Sequence, residues 1–289
     1  KPALDRAQHW IHDNLLTRVP PTAHAHGFVP GRSTLTNAAP HVGRAVVVNM
    51  DLADFFPTVG FRRVKGLYRH LGYSEAVATL LALLCTEPPR VPASLDGRLY
   101  HVAVAERMLP QGACTSPAIT NLICRRLDHR LHGLGASFGM VYTRYADDLT
   151  FSGADDGRLG ALLGAVRTVV RAEGFVDNPK KTRVMRRGRA QVVTGATVND
   201  VVGLSRRQRR QLRAILHNAA RDGLDAQNRT NHPRFIEHLQ GHGIPVVRRH
   251  RVEVADPQRY RAHGRVGRQF LAHVLPNLVV ATTIPGWPF

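Results

Sequence analysis

The sequence predicts an α+β fold built on a split βαβ sheet, and three stretches carry that prediction. Arg44-Ala-Val-Val-Val-Asn-Met-Asp51 is a near-continuous apolar strand ending in an acid, the pattern of a strand buried on both faces. Helical periodicity follows it. Val141-Tyr-Thr-Arg-Tyr-Ala-Asp-Asp-Leu-Thr-Phe-Ser152 then reads as a hairpin, its runs Met140–Thr143 and Leu149–Ser152 flanking a tight connection with Asp147 and Asp148 at the tip. Strand, crossover and hairpin can lie side by side in one sheet. That order lets three distant carboxylates meet at one edge.

The 289 residues are 43% hydrophobic and 21% charged, enough for a sizeable core in a subdivided domain or two domains. Lys plus Arg number 40 against 21 Asp plus Glu, a formal charge of +19. Charge of that size repels itself unless a polyanion neutralises it, so nucleic acid is the expected partner. No apolar run reaches the roughly 18 residues a membrane span needs, and no signal peptide is visible. Cys85, Cys114 and Cys124 form no C-x-x-C pair, which argues against a disulfide framework or a zinc site and for reduced thiols in the cytoplasm. The sequence starts at Lys1 rather than Met, so an N-terminal piece is expected ahead of it.

Taken in order, Ala3 to about Leu16 forms an amphipathic helix with Leu4, Ala7, Trp10, Ile11 and Leu15 on one face, ended by Pro20 and Pro21. His26-Gly-Phe-Val-Pro-Gly-Arg-Ser33 is a loop, either a plain turn or a phosphate-contacting loop with Arg32. After the buried strand, Asp54 is either a further acid of the site or the cap of a helical turn. Ser74 caps a helix to about Thr86, and Arg90–Ala105 folds as a hairpin about Asp96-Gly97. Thr115 or Ser116, with Pro117, opens a long helix (Ser116 as cap) through Leu131, stopped by Gly133 and Gly135. Beyond the acidic hairpin come a helix from about Arg158 to Glu173, a basic loop Asn178–Thr182, and short strands at Thr182–Met185, Gln191–Thr194 and Thr197–Val198. Ser205 starts a basic helix ending near Gly223, read either as a solvated face or as a nucleic-acid grip. Residues 230–289, rich in His, Arg and Pro, show no readable function.

Adjacent acids on a hairpin repel each other and are poor strand formers. A carboxylate ending a buried strand must be paired, protonated or bound to a cation. Hard divalent cations take carboxylate oxygens, and two Mg²⁺ roughly 3.5–4 Å apart would stabilise both oxygens of an in-line phosphoryl displacement. With so basic a chain, the chemistry expected is nucleotidyl transfer on nucleic acid.

At this point the sequence resembles a family. Tyr145-Ala-Asp-Asp148, Asp51-Leu-x-Asp-Phe-Phe56 and Leu109-Pro-Gln-Gly112 look like the motifs of a bacterial reverse transcriptase. Asn37-Ala-Ala-Pro-His41 and Val193-Thr-Gly195 are similar to the Asn-Ala-x-x-His and Val-Thr-Gly elements of the retron kind, and the five motifs stand in the family's order. The resemblance implies a right-hand polymerase fold: partial fingers at 1–44, palm at 45–60 and 106–200, a fingers insertion at 61–105, and a basic helical thumb at 201–289. It implies Asp51, Asp147 and Asp148 as catalytic metal ligands for two Mg²⁺, with the Leu52 carbonyl completing one. Phe56 takes the place of the steric gate against a 2′-hydroxyl. Gln111 and Gly112 pack against the incoming nucleotide, Lys181 (or Lys180) donates a proton to pyrophosphate, and Gly195 holds the primer end. Contacts to template, primer or RNA fall to Arg32, Asn37, His41, Gly195, Arg206, Arg209 and Arg210.

The implied activity is an RNA-directed DNA polymerase that primes from a 2′-hydroxyl of its own non-coding RNA and makes branched RNA-linked DNA from deoxynucleoside triphosphates. Its expected role is antiphage defence beside an effector protein. In the family a basic fingers hairpin that holds the triphosphate precedes the region at Lys1, and the tail after about Pro245 departs from the thumb pattern. A group II intron or diversity-generating-element enzyme is the near alternative. A non-catalytic RNA-binding scaffold is the distant one, against which stand the intact acids: buried negative charge beside a phosphate backbone gives a pure binder nothing.

Overall fold

Helix α1 (Pro2–Asn14) opens the computed structural model, which describes residues 2–155, 157–223 and 225–228. Of its expected apolar stripe only Ile11 is buried, and Trp10 is 58% exposed. A short α2 (Thr34–Ala38) follows, closed by a capping box between Ser33 and Thr36. In β1 (Val46–Ala53), alternation sends Val46, Val48, Met50 and Leu52 into the core and Val47, Asn49, Asp51 and Ala53 to the opposite face.

Helix α3 (Phe61–His70) has no counterpart in the sequence expectations. Its cap, Gly60, makes no side-chain bond, and only Val64 and Tyr68 are buried among Arg, Lys and His. Helix α4 (Glu75–Cys85) begins as expected, the Ser74 hydroxyl accepting from the Val77 amide. Strands β2 (Arg90–Leu95) and β3 (Arg98–Ala103) pair about Asp96-Gly97, both left-handed as a two-residue hairpin turn requires.

The long helix expected from Ser116 is instead two, α5 (Thr115–Ile123) and α6 (Arg125–Ser137), parted at Cys124. Ser116 is not the cap, because its hydroxyl donates to the Pro110 carbonyl at 2.8 Å. Neither Gly133 nor Gly135 stops α6. A Cβ at Gly135 would stand 3.1 Å from the Met140 carbonyl and 3.5 Å from the Phe151 ring, so glycine there permits close packing rather than ending a helix.

The remaining elements are β4 (Val141–Tyr145), β5 (Asp148–Gly153), α7 (Leu159–Ala172), β6 (Val176–Asp177), β7 (Arg183–Arg186), β8 (Val192–Val193), β9 (Ala196–Thr197) and α8 (Arg206–Asp222). The strand expected at 191–194 shortens to β8 because Gln191 is buried, its amide donating to the carbonyls of Arg44, Ala45 and Met185. Two compact units divide the chain, Lys1–Val201 and Val202–Phe289. Helix α8 belongs to the second and starts at a capping box between Ser205 and Gln208. The sequence expectations for 229–289 lie outside the described residues. No helix among the described residues is long and apolar enough to cross a membrane.

The main sheet runs β4-β5-β1-β6, with β7 also on β1, and every neighbouring pair is antiparallel. Strand β4 therefore runs parallel to β1 with β5 between them, the split plan. One core joins Val48, Met50, Leu149 and Phe151 of the sheet to Leu127 and Leu131 of α6 and Leu162 and Val166 of α7. Each such side chain contributes about 1.5–3 kcal/mol on burial.

Inside that core lies an ion pair. Asp128 of α6 and Arg144 of β4 are fully buried, joined Nε to Oδ1 at 2.7 Å and Nη2 to Oδ2 at 2.8 Å. Asp128 also accepts from Thr22 at 2.6 Å and from the Tyr142 hydroxyl at 3.0 Å. Burial pushes its carboxyl up, but Arg144 and these bonds outweigh that and hold it below the usual range. The remaining guanidinium nitrogen donates to Asn121 at 3.0 Å and to the Ala146 carbonyl at 3.1 Å. Asn121 in turn donates to the Gly27 carbonyl at 2.9 Å. Removing one partner of such a pair leaves an uncompensated buried charge, so Arg144→Met and Asp128→Asn should each cost about 3–5 kcal/mol in urea unfolding. A loss below about 1 kcal/mol would mean that other contacts hold β4 to α6.

Candidate active site

The β4–β5 turn has two residues, Ala146 and Asp147, closed by the Tyr145–Asp148 pair. Ala146 is left-handed at φ 55, a conformation alanine adopts only where its surroundings dictate it. Two contacts do so here. Arg144 holds the Ala146 carbonyl, and Gly27 packs against the turn so closely that a Cβ there would lie 2.5 Å from the Ala146 amide nitrogen. The Asp147 carbonyl accepts from the Leu52 amide at 3.0 Å, tying the tip to β1.

Register does the rest. Asp51 stands directly opposite Asp148, and directly opposed side chains share a face. Opposed residues hold their Cβ atoms about 4.5–5.5 Å apart, so two carboxylates there repel each other when ionised. Burial first, then Asp147 and Asp51, push the Asp148 carboxyl up to about 6. Burial, then the Asp51 charge, also raises Asp147. Some relief comes from Lys181, whose Nζ reaches Asp51 Oδ2 at 2.9 Å and whose own pKa is raised by that bond. The lysine is 59% exposed, so water screens much of its effect. Asp51 itself is 6% exposed, and its carbonyl accepts from the Asn178 amide at 2.8 Å.

The carboxylates form a wall between two cavities. One, about 390 Å³, is lined by Asp51, Asp54, Phe56, Gln111, Asp147 and Lys181, with the Leu52 backbone. The other, about 430 Å³, is lined by Asn49, Asp51, Asp148, Arg183, Thr194 and Gly195 among others. Phe56 is half-buried, its ring 5.4 Å from Phe55 and 6.3 Å from Phe28. Gln111 and Gly112 are exposed, Gly112 at φ 91.

An all-oxygen donor set with unrelieved negative charge suits a hard divalent cation in kind. Among the described residues, no three His, Cys, Asp or Glu side chains have closed to metal-holding distance. The ammonium of Lys181 holds Asp51 instead.

Asp51, Leu52, Phe56, Gln111, Asp147, Asp148, Lys181 and Gly195 thus gather about one place. Of the residues expected to touch nucleic acid, Arg32 is half-buried, while Asn37 and His41 have no exposed surface. The Arg32 guanidinium donates to the carbonyls of Thr22 and Ala25. Asn37 and His41 are fully buried. His41 sits between the Ser152 hydroxyl at 2.6 Å and the Thr143 hydroxyl at 2.7 Å. Burial, then Arg44 and His26, push its imidazole down to about 3, so it is neutral near pH 7 and offers phosphate no charge. On α8, Arg206 and Arg210 are exposed and Arg209 is half-buried. The sequence expectations omitted Arg144, Asp128, Asn121 and Gly27. The available signal was a cation inside an otherwise uncharged strand, two residues before the acidic turn.

Residues 5–222 match the reverse transcriptase (RNA-dependent DNA polymerase) family, and the chain belongs to it. It is 55% identical over 207 residues to the retron Mx65 reverse transcriptase of Myxococcus xanthus, an alignment covering 72% of this chain and 48% of that protein. To the retron Mx162 reverse transcriptase of the same organism it is 50% identical over 234 residues, covering 75% and 48%. To the retron Ec86 reverse transcriptase of Escherichia coli it is 33% identical over 215 residues, covering 74% and 62%. The chain spans about half the length of the two Myxococcus relatives.

Because the Asp148 carboxyl is raised when folded, its ionisation works against the fold. Stability contributed by its neutral form is present below about pH 4 and lost as pH rises towards 6. Asp148→Asn should therefore melt above the parent at pH 7.5 in chelator, the gap closing below pH 4. Equal melting at both pH values would show that the charge is already neutralised.

Proposed function

We propose that this chain carries the polymerase centre of a retron-type reverse transcriptase, copying a structured non-coding RNA into RNA-linked single-stranded DNA. The observation that carries the proposal is the meeting of Asp51 with Asp147 and Asp148 between two cavities. The reading assigns the cavity with Phe56 and Gln111 to the incoming deoxynucleoside triphosphate, and the cavity with Gly195 to the end of the primer. Residues 45–60 and 106–200 act as palm, 1–44 and 61–105 as fingers, and 201–289 as thumb.

Asp51, Asp147, Asp148 and the Leu52 carbonyl would hold two Mg²⁺. When bound, such ions neutralise phosphate charge and activate the primer hydroxyl for in-line displacement. The Phe56 ring lies under the sugar and leaves no room for a 2′-hydroxyl. Gln111 and the left-handed Gly112 present a close backbone to the nucleotide. Lys181, held on Asp51, gives its proton to the departing pyrophosphate. Arg206, Arg209 and Arg210 grip the duplex through phosphates, independent of sequence. The expected partners are the chain's own non-coding RNA, serving as template and as 2′-hydroxyl primer, and the DNA made from it. Antiphage defence with an effector protein, in the cytoplasm, completes the proposal.

The test is RNA-primed incorporation of labelled deoxynucleotides with Mg²⁺ by the full-length protein. Asp147→Ala/Asp148→Ala should lower incorporation at least about 10³-fold; undiminished incorporation would remove the site from the chemistry. Phe56→Val should admit ribonucleotides, and unchanged sugar selectivity would place the gate elsewhere. RNA binding without synthesis under every priming condition would favour a scaffold.

A further inference from the structure

The turn joining β8 to β9 carries a conformation its sequence does not favour. Thr194 has φ 44 and Gly195 φ 83, with Val193 paired to Ala196 across them. Two-residue turns with both central residues left-handed prefer Asn, Asp or Gly at the first place, and a β-branched residue there is an outlier. Such strain persists only where surroundings impose it, and it clusters at functional sites.

What imposes it is the segment 34–43. The Thr194 hydroxyl donates to the Thr34 carbonyl at 3.2 Å and accepts from the buried Asn37 amide at 3.4 Å. Seven residues from Thr34, His41 is fixed to both strands of the acidic hairpin through Thr143 of β4 and Ser152 of β5. The Gly43 amide donates to the Val198 carbonyl at 2.9 Å, just past β9. From β1, two residues before Asp51, the Asn49 amide donates to the Val192 carbonyl at 2.9 Å. The turn is thus tied to α2 at its tip and to the sheet at its base. Thr194 and Gly195 line the same cavity as Asp51, Asp147 and Asp148.

We propose that Asn37 and His41 are positioning residues: Asn37 clasps the β8–β9 turn through Thr194 while His41 anchors the same segment to the acidic hairpin, so that the turn stands at a fixed height over the three carboxylates and sets where a nucleic-acid strand end can rest. Threonine is kept at 194 for its hydroxyl, at the expense of backbone strain. The inference rests on the polymerase reading above, but it gives Asn37 and His41 a role inside the protein rather than on RNA.

The test compares Asn37→Ala, Thr194→Asn, Thr194→Ser and the double variant Asn37→Ala/Thr194→Asn in the full-length protein. Each is measured for melting, for affinity to an RNA stem with an annealed primer, and for kcat and KM of extension. Thr194→Asn relieves the strain, so its Tm should rise by about 2–4 °C while kcat falls about tenfold, separating the clasp from mere stability. Asn37→Ala should bind RNA within about twofold of wild type yet extend about tenfold slower. The double variant should lose no more than about the larger single loss, because both break one tie. Thr194→Ser, which keeps the hydroxyl, should extend within about threefold of wild type. The inference is overturned if Thr194→Asn extends like wild type, or if Asn37→Ala loses RNA affinity with kcat unchanged, the mark of direct contact. If wild type extends no primer at all, the polymerase reading falls and this inference with it.

Discussion

A salt bridge with no access to water, Arg144 to Asp128, fixes the geometry of everything around it. It couples β4 to α6 and, through Asn121 and the Ala146 carbonyl, seats the loop at Gly27 against the acidic turn. A buried ion pair is weak evidence for net stability, because desolvation offsets much of the attraction. Its service here is specificity: the guanidinium spends three nitrogens on four acceptors of fixed position. That leaves one place for the turn. Asp147 is placed with it, its carboxylate also accepting from its own backbone amide.

Stored repulsion is the second theme. The register of β1 on β5 opposes Asp51 to Asp148, and the only cation on Asp51 among the described ion pairs is the largely exposed Lys181. Left-handed backbone gathers at the same place. Five non-glycine residues show it among those described, and Asp54, Ala146 and Thr194 line a cavity or form the turn beside it, while Phe28 packs on Phe56. Asp96, the fifth, sits in an ordinary hairpin. Charge and strain are thus concentrated at the carboxylates, where hard divalent cations would relieve the first.

Much of this was legible in the sequence, for identifiable reasons. The apolar strand carrying Asp51, which in the structure continues to Ala53, and the hairpin bearing Asp147-Asp148 announce themselves through local patterning, as do the Ser74 and Ser205 caps. Helix α3 was not legible, because two buried residues among basic ones leave almost no periodic signal. The break at Cys124 was hidden for the opposite reason: apolar residues continue across it. Asn37 and His41 were found as a motif, but their burial was not. Polar residues in a basic chain look like nucleic-acid contacts until burial, a tertiary property, is known. Arg144 and Asp128 are sixteen residues apart on different elements, and nothing local reveals that they meet.

Iron-mediated cleavage probes the convergence itself. With Fe²⁺ replacing Mg²⁺ in the full-length protein bound to RNA, peroxide and ascorbate generate hydroxyl radicals that cut the chain beside the bound ion. Cuts should fall both near 51–52 and near 146–148, and both should vanish in Asp51→Asn. Cutting confined to one of the two segments, or surviving that substitution unchanged, would contradict a shared cation site.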